Sequence, residues 1–183
     1  GELGWEIYVS ADMAVHAFET LWQAGQAQGM ALCGMHMMDS CRIEKGFRHF
    51  GHDITCEDHV LEAGLGFAVK TDKPAFLGRA AVLEKRQTGL ETRLVQFKLT
   101  DPEPMLYHNE PILRDGEIVG YLSSGAYGHH LGAAIGMGYV PCKGESAAQV
   151  MASRYEIDVA GVKVGAEVSL RPMYDPTSQR VKA

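Results

Sequence analysis

The sequence lacks a long apolar segment, a closely spaced cysteine pair and an excess of basic residues. No run approaches the roughly 18 consecutive apolar residues of a membrane-spanning helix, so no association with a membrane is expected. The four cysteines show no C-x-x-C spacing, which favours free thiols in a reducing compartment over a disulfide framework. The net charge of -6 argues against a non-specific nucleic-acid binder.

The chain is long enough to bury a substantial core. With 183 residues, of which 46% are hydrophobic, it can form one large domain or two small ones. Its first residues do not form a charged and then apolar leader, so no targeting signal is expected. A sequence that opens directly on a strand pattern is expected to continue upstream.

Residues 1–9 alternate between apolar and polar side chains, which predicts a half-buried strand. Its polar face would carry Glu2, Glu6 and Tyr8. The two carboxylates would lie roughly 13 Å apart at about 3.3 Å per residue, too far to share a proton. We therefore expect them to accept hydrogen bonds from different parts of one ligand, the alternative being a solvated strand face.

Helical spacing predicts three helices in the first half of the chain, over residues 12–28, 34–45 and 78–87. The first should lie on the apolar face of the leading strand, and the methionines of the second should fill the core. Short strands are expected over residues 30–33 and 65–69.

From residue 93 onward, short alternating runs at regular intervals replace the helical patterns. Asp115-Gly116 separates two of these runs and suits a two-residue hairpin turn. About six such strands indicate a small antiparallel barrel. We place the domain boundary between residues 88 and 92, which gives domains over 1–90 and 91–183.

Three motifs suggest chemistry without establishing it. His49, His52, His59, Asp53 and Cys56 are all possible metal ligands but lack metal-ligand spacing, so a turn-rich loop beside a ligand pocket is the better interpretation. Hydroxyls at 123–124 precede imidazoles at 129–130, but no G-x-S-x-G elbow supports a hydrolase. The glycines of G-A-A-I-G-M-G at 132–138 fit a bent barrel strand better than a dinucleotide fingerprint.

Six blocks in order resemble the C-terminal part of the glycine-cleavage T-protein (aminomethyltransferase) family. They are G-E-L-G-W-E-I at 1–7, M-D-S-C-R-I-E-K-G at 38–46, E-A-G-L-G-F-A-V at 62–69, F-L-G-R at 76–79, S-S-G-A-Y-G-H-H-L-G at 123–132 and G-Y-V-P at 138–141. The stretch from Glu44 to Thr55 and the ending R-P-M-Y-D-P also resemble the folate-binding half of flavin-dependent sarcosine and dimethylglycine dehydrogenases.

The resemblance implies an α+β fold in which a partial α/β folate-binding lobe precedes a small Greek-key antiparallel β-barrel. It implies that an acidic side chain of the first block contacts the pterin, and by position this is Glu6, with Glu2 and Tyr8 beside it. A carboxylate suits the adjacent N–H donors of a pterin edge. The family's catalytic aspartate belongs to an N-terminal part that this sequence does not contain, so the chain alone is expected to be inactive.

One departure separates the branches of the family. Stand-alone aminomethyltransferases carry an arginine just before the Asp-Ser of the second block, where this sequence has Met38. A thioether cannot replace a guanidinium fork that meets the carboxylate of the folate tail. Met38 therefore favours the dehydrogenase-fused branch.

These features predict the tetrahydrofolate-binding C-terminal fragment of an FAD-dependent oxidoreductase that demethylates sarcosine or dimethylglycine. The expected partners are folate, a small N-methylated amine and the protein's own N-terminal domains, with self-association of the fragment as a second expectation. The location would be a bacterial cytoplasm or a mitochondrial matrix. A fragment of a stand-alone aminomethyltransferase and a non-catalytic assembly module remain alternatives.

Overall fold

A computed structural model describes residues 4–182 as five α-helices, two short 3-10 turns and one closed six-stranded barrel. The helices are α1 (Ala14–Gln26), α2 (Met35–Glu44), α3 (Arg79–Thr88), α4 (Ala147–Ala152) and α5 (Gln179–Lys182). The strands are β1 (Thr92–Leu99), β2 (Pro111–Arg114), β3 (Glu117–Gly128), β4 (Ala133–Pro141), β5 (Tyr155–Val159) and β6 (Val162–Ser169).

The barrel has Greek-key connectivity. Its strands are ordered β1-β4-β3-β2-β5-β6, and β6 pairs with β1 to close the barrel. Each of these six pairs of neighbouring strands is antiparallel. Strands β2, β3 and β4 follow one another as neighbours, and β5 returns to lie beside β2. The predicted α+β fold with a Greek-key antiparallel barrel is confirmed, and the boundary near residue 90 stays a prediction.

Two hairpin turns require residues with positive φ. Asp115 and Gly116 have φ values of 53° and 95°, and Ala160 and Gly161 have values of 53° and 88°. Positive φ at both central residues is the geometry of a type I′ turn, which matches the twist of the flanking strands. The hairpin predicted from Asp115-Gly116 is confirmed.

Alternate residues of β1 point to opposite sides of the barrel wall. Val95, Phe97 and Leu99 are buried in the inner core, where the Phe97 ring meets the Tyr155 ring edge-on at a centroid distance of 5.6 Å. The remaining buried members of this core come from the other five strands, their connections and α4: Leu106, Ile112, Leu122, Ala134, Val140, Cys142, Val150, Ile157 and Val164.

A second, smaller core lies outside the barrel, beneath α2. Ile43 packs there with Leu94 of β1 and with Ile135 and Met137 of β4. Gln96 lies on the same outer face and donates from Nε2 to the carbonyl oxygen of Ile43 at 2.6 Å. These contacts fix α2 on the barrel wall and so position the side chains that α2 presents to the site.

The C-terminal segment returns to the end of α2. The backbone N–H of Met173 donates to Gln96 Oε1 at 2.9 Å, and that of Tyr174 donates to the carbonyl of Glu44 at 3.2 Å. Lys45, which is buried, donates from Nζ to the carbonyl oxygen of Asp175 at 2.9 Å. The ending R-P-M-Y-D-P therefore joins α2 to the barrel.

The strand predicted for residues 1–9 is wrong in its described part, residues 4–9. These residues have no regular secondary structure, and Trp5 is 87% exposed. An alternating sequence becomes a strand only when a neighbouring strand accepts its backbone hydrogen bonds, and none of the six described strands lies beside it. The strands predicted over 30–33 and 65–69 are also absent; residues Gly66–Ala68 form a 3-10 turn.

The three predicted helices are present, but two packing predictions are wrong. No residue of α1 is buried, so this helix does not lie on an apolar strand face. Met35, Met37 and Met38 are exposed rather than buried in the core. The residues of α2 that are buried are Ser40, Ile43 and Glu44, because their side of the helix faces the barrel.

Candidate functional site

A cleft of about 730 Å³ lies between α2 and the barrel. Its walls come from α2, the turn at residues 49–52, the segment at 105–108, the second half of β3 and the β3–β4 turn. A volume of this size is typical of small-molecule sites. The cleft therefore combines residues from both predicted domains.

The wall of the cleft is braced by one arginine. Arg42 of α2 donates to Asp39 Oδ1 at 2.9 Å, to Asp53 Oδ2 at 2.5 Å and to Ser124 Oγ at 2.8 Å. Asp53 is 1% exposed and also accepts the backbone N–H of His49 at 2.9 Å. This network ties α2, the 49–53 turn and β3 into one unit.

A β-bulge in β3 directs two adjacent serines into this network. The register with β4 shifts between Leu122 and Ser124, so Ser123 is the inserted residue. Adjacent strand residues normally point to opposite faces, and a bulge removes that alternation locally. As a result Ser123 Oγ reaches Asp53 Oδ1 at 2.5 Å while Ser124 Oγ accepts from Arg42.

Imidazoles are the most numerous ionisable groups that line the cleft. Six of the eight histidines contribute to its walls: His36, His49, His52, His108, His129 and His130. The rings of His49 and His52 lie 4.4 Å apart between centroids. The nitrogens of imidazole rings can act as donors and as acceptors of hydrogen bonds. It suits a polar, nitrogen- and oxygen-rich ligand.

The structure does not bring the predicted folate-binding residues into this cleft. Glu6 and Tyr8 are exposed and do not contribute to its lining, and Glu2 lies outside the described residues. The Tyr8 hydroxyl donates to Glu6 Oε2 at 2.5 Å, and this hydrogen bond raises the pKa of Tyr8. The assignment of these three residues to folate stays a prediction.

The structure also locates the other candidate motifs. The turn predicted to lie beside a ligand pocket does so, through His49 and His52. Over residues 4–182, no three His, Cys, Asp or Glu side chains are grouped closely enough to hold a metal ion. The serines at 123–124 are engaged by Asp53 and Arg42, and the 132–138 glycines belong to β4 or to the turn before it.

Sequence reasoning missed the residues that build the cleft. Arg42, Glu44 and Asp53 carry its buried polar contacts, yet Arg42 and Glu44 were not singled out, and Asp53 was considered only as part of the turn at 49–53. Arg42 and Glu44 stand in the block that resembles the T-protein family, and Asp53 stands in the following stretch. The available signal was a concentration of ionisable residues in a segment without a clean hydrophobic period.

Among residues 4–182, no helix has the length and apolar character needed to cross a membrane.

All four cysteines are free thiols. Burial raises the pKa of Cys142, which lies in the inner core. A thiol in that position packs as a small apolar side chain.

Two family models match successive parts of the chain. The model described as the GCVT N-terminal domain matches residues 1–73, and the model described as the glycine cleavage T-protein C-terminal barrel domain matches residues 92–175. The chain belongs to the glycine-cleavage T-protein family. The second T-protein model covers all six strands of the Greek-key barrel, and the first covers α1, α2 and the 49–53 turn.

Curated relatives of this T-protein family member include both oxidoreductases and aminomethyltransferases. The chain is 43% identical over its whole length to a 4-methylaminobutanoate oxidase (formaldehyde-forming) from Paenarthrobacter nicotinovorans, of which it covers 22%. It is 37% identical over its whole length to a human mitochondrial sarcosine dehydrogenase, covering 20% of that protein. It is 42% identical over 76% of its length to an aminomethyltransferase from Halothermothrix orenii, covering 39% of that protein.

A solved T-protein has the same fold. The crystal structure of the glycine cleavage system aminomethyltransferase T from Bartonella henselae superposes with a TM-score of 0.75 at 25% identity, over 88% of this chain and 45% of that one. The chain spans about a fifth of the length of the two oxidoreductases it matches from end to end.

Proposed function

We propose that this chain is the tetrahydrofolate-binding part of an FAD-dependent oxidoreductase that removes a methyl group from a small N-methylated amine. The supporting observation is the match along the whole chain to enzymes named for such amines, including a human dimethylglycine dehydrogenase at 32% identity. A stand-alone aminomethyltransferase is the second candidate, because such proteins from Halothermothrix and Synechocystis match 76% and 95% of the chain.

The cleft has the size and chemistry for tetrahydrofolate. A volume of about 730 Å³ accommodates a molecule of that size, and the imidazole-rich wall offers partners to its many N–H groups and carbonyls. Tetrahydrofolate bound there would accept the one-carbon unit released from the amine. Holding donor and acceptor in one enclosed space makes the transfer effectively unimolecular.

FAD belongs to another part of the proposed parent protein. All six strands in residues 4–182 form the antiparallel barrel, whereas the doubly wound fold that binds dinucleotides uses parallel βαβ units. The relatives that the chain matches from end to end are about five times its length, which leaves room for such a unit. The mitochondrial and bacterial relatives suggest a matrix or a bacterial cytoplasm as the location.

We assign Glu6 to the pterin edge, with Tyr8 donating a hydrogen bond to its carboxylate, and we assign Glu2 to the same ligand. Glu6 and Tyr8 lie outside the cleft lining, so this assignment requires the ligand to extend beyond the cleft. Calorimetry of the 183-residue chain with tetrahydrofolate tests the function and this assignment together. The unmodified 183-residue chain is expected to bind tetrahydrofolate. The Glu6→Gln variant is expected to bind it with about tenfold weaker affinity, because one charge-assisted hydrogen bond is lost. Asp12→Asn, which neutralises another exposed carboxylate nearby, is the matched control.

The experiment distinguishes a failure of the folate function from a failure of the Glu6 assignment. An absence of binding by the unmodified chain would contradict the folate function for this part of the protein. Equal affinities for the unmodified chain and Glu6→Gln would leave folate binding in place and remove Glu6 from the site.

The exposed side of α1 is proposed to contact the upstream part of the same polypeptide. Phe18 and Leu21 are half-exposed, Val15 is more exposed, and the Phe18 and Trp22 rings stack at 6.5 Å. This chain matches 45% of the Bartonella T-protein, so that protein contains further structure outside the matched part. A patch of this kind usually marks an interface.

Without the upstream part, the same apolar side should drive self-association. Light scattering of the 183-residue chain is expected to detect oligomers that Phe18→Ser combined with Leu21→Ser converts to monomers. Glu19→Ser, on the same helix but polar, is the control and should leave the oligomers unchanged. A monomeric unmodified chain at high concentration would contradict this role for α1.

A further inference from the structure

A buried carboxylate faces the β3–β4 turn from the end of α2. The Glu44 side chain is 3% exposed, and its Oε1 accepts the backbone N–H groups of His130 at 2.6 Å and Leu131 at 3.2 Å. Its other oxygen, Oε2, lies 3.3 Å from Nδ1 of the His130 ring. One carboxylate therefore holds both the backbone and the imidazole of His130.

The surroundings keep this carboxylate and this ring in place. A Cβ atom at Gly128 would stand 3.2 Å from Glu44 Oε1, so the glycine leaves room for the carboxylate at the end of β3. The Tyr174 ring lies 4.5 Å from the His130 ring, tilted by 40°. Tyr174 is itself anchored through its backbone N–H to the carbonyl of Glu44. The imidazole is thus fixed on two sides.

This arrangement selects one tautomer of the ring. An ionised carboxylate only accepts hydrogen bonds, so the proton of the contact between Glu44 and His130 lies on Nδ1. In the neutral ring Nε2 then carries a lone pair, and no described residue donates a hydrogen bond to it. The His130 side chain is 54% exposed and lines the cleft.

We propose that His130 is a ligand-contacting residue of the cleft, whose Nε2 accepts a hydrogen bond from an N–H group of the bound folate while Glu44 fixes its tautomer. Glu44 is the positioning residue and does not itself touch the ligand. The inference deepens the proposed function and rests on it, since tetrahydrofolate supplies the N–H donors. The choice of tautomer is independent of any ligand.

Nitrogen-15 NMR of the histidine side chains tests the positioning step directly. In the unmodified chain without ligand, the neutral His130 ring is expected to carry its proton on Nδ1. Glu44→Gln should shift the population toward the Nε2–H form, because a neutral amide can donate to Nδ1. A ring that is mainly Nε2–H in the unmodified chain would overturn the positioning role.

Calorimetry with tetrahydrofolate tests the contact. Asparagine places its amide nitrogen near the position of Nδ1 and glutamine places its amide near that of Nε2, so the two variants separate the halves of the ring. His130→Asn keeps the Glu44 contact and is expected to weaken folate binding by about three- to tenfold. His130→Gln should recover much of the loss. His16→Gln, on exposed α1, is the control.

Each outcome decides a different statement. Equal affinities for the unmodified chain and His130→Asn would overturn the ligand contact while leaving the folate function intact. A failure of the unmodified chain to bind folate would contradict the proposed function and the contact together, and the NMR result would still decide whether Glu44 sets the tautomer. Circular dichroism of each variant confirms that the barrel remains folded.

Discussion

Replacing Asp53 with alanine is expected to lower the free energy of unfolding by about 3–5 kcal/mol. Its buried carboxylate accepts hydrogen bonds from Arg42, Ser123 and the backbone of His49. Removing it leaves a guanidinium that is only 13% exposed without its buried counter-charge. Urea-induced unfolding followed by circular dichroism measures the change.

Asp39→Ala is the matched control, because Asp39 pairs with the same arginine. Its side chain is 45% exposed, so solvent replaces much of the lost interaction and a decrease of less than about 1 kcal/mol is expected. Equal losses for the two variants would show that burial of Asp53 does not determine the strength of the network. The Asp53 variant should also weaken ligand binding, since it loosens α2 and β3 together.

Gly138→Ala is expected to destabilise the barrel by about 3 kcal/mol. A Cβ at this position of β4 would lie 2.7 Å from the carbonyl oxygen of Tyr121 and 2.6 Å from Cδ1 of Ile112. The isoleucine can rotate, but the carbonyl oxygen belongs to the neighbouring strand β3, so relief requires a shift of the backbone. Thermal unfolding measures the loss.

Gly4→Ala is the corresponding control, because no atom lies within 4 Å of a Cβ at Gly4. It should change stability by no more than a few tenths of a kcal/mol, as most exposed substitutions do. A thermally stable Gly138→Ala variant would mean that β3 and β4 can separate without cost.

The barrel could be predicted from the sequence because its signals are local. Asp115-Gly116 requires positive φ values that few residues tolerate, and Val95, Phe97 and Leu99 alternate with the residues that face outward. Each of these patterns is complete within a short stretch. The order of the strands came from the family resemblance and not from the alternation.

The leading segment and the cleft could not be predicted in the same way. Residues 4–9 have the alternation of a strand, but a strand also needs a neighbour, and alternation does not reveal whether one is present. Similarly, Asp53 meets Ser123 across 70 positions of sequence, and the meeting depends on a bulge. A strand pattern read with strict alternation places one of the two serines on the wrong face.

The Arg42 network spans residue 90, near which the family models leave a gap between their matches. Swapping either half for that of a relative would have to preserve the complementarity between Arg42 and Asp53 on one side and the paired serines on the other. A chimera in which only the barrel is exchanged should therefore have a misaligned cleft, unless the inserted serine and Asp53 are exchanged together.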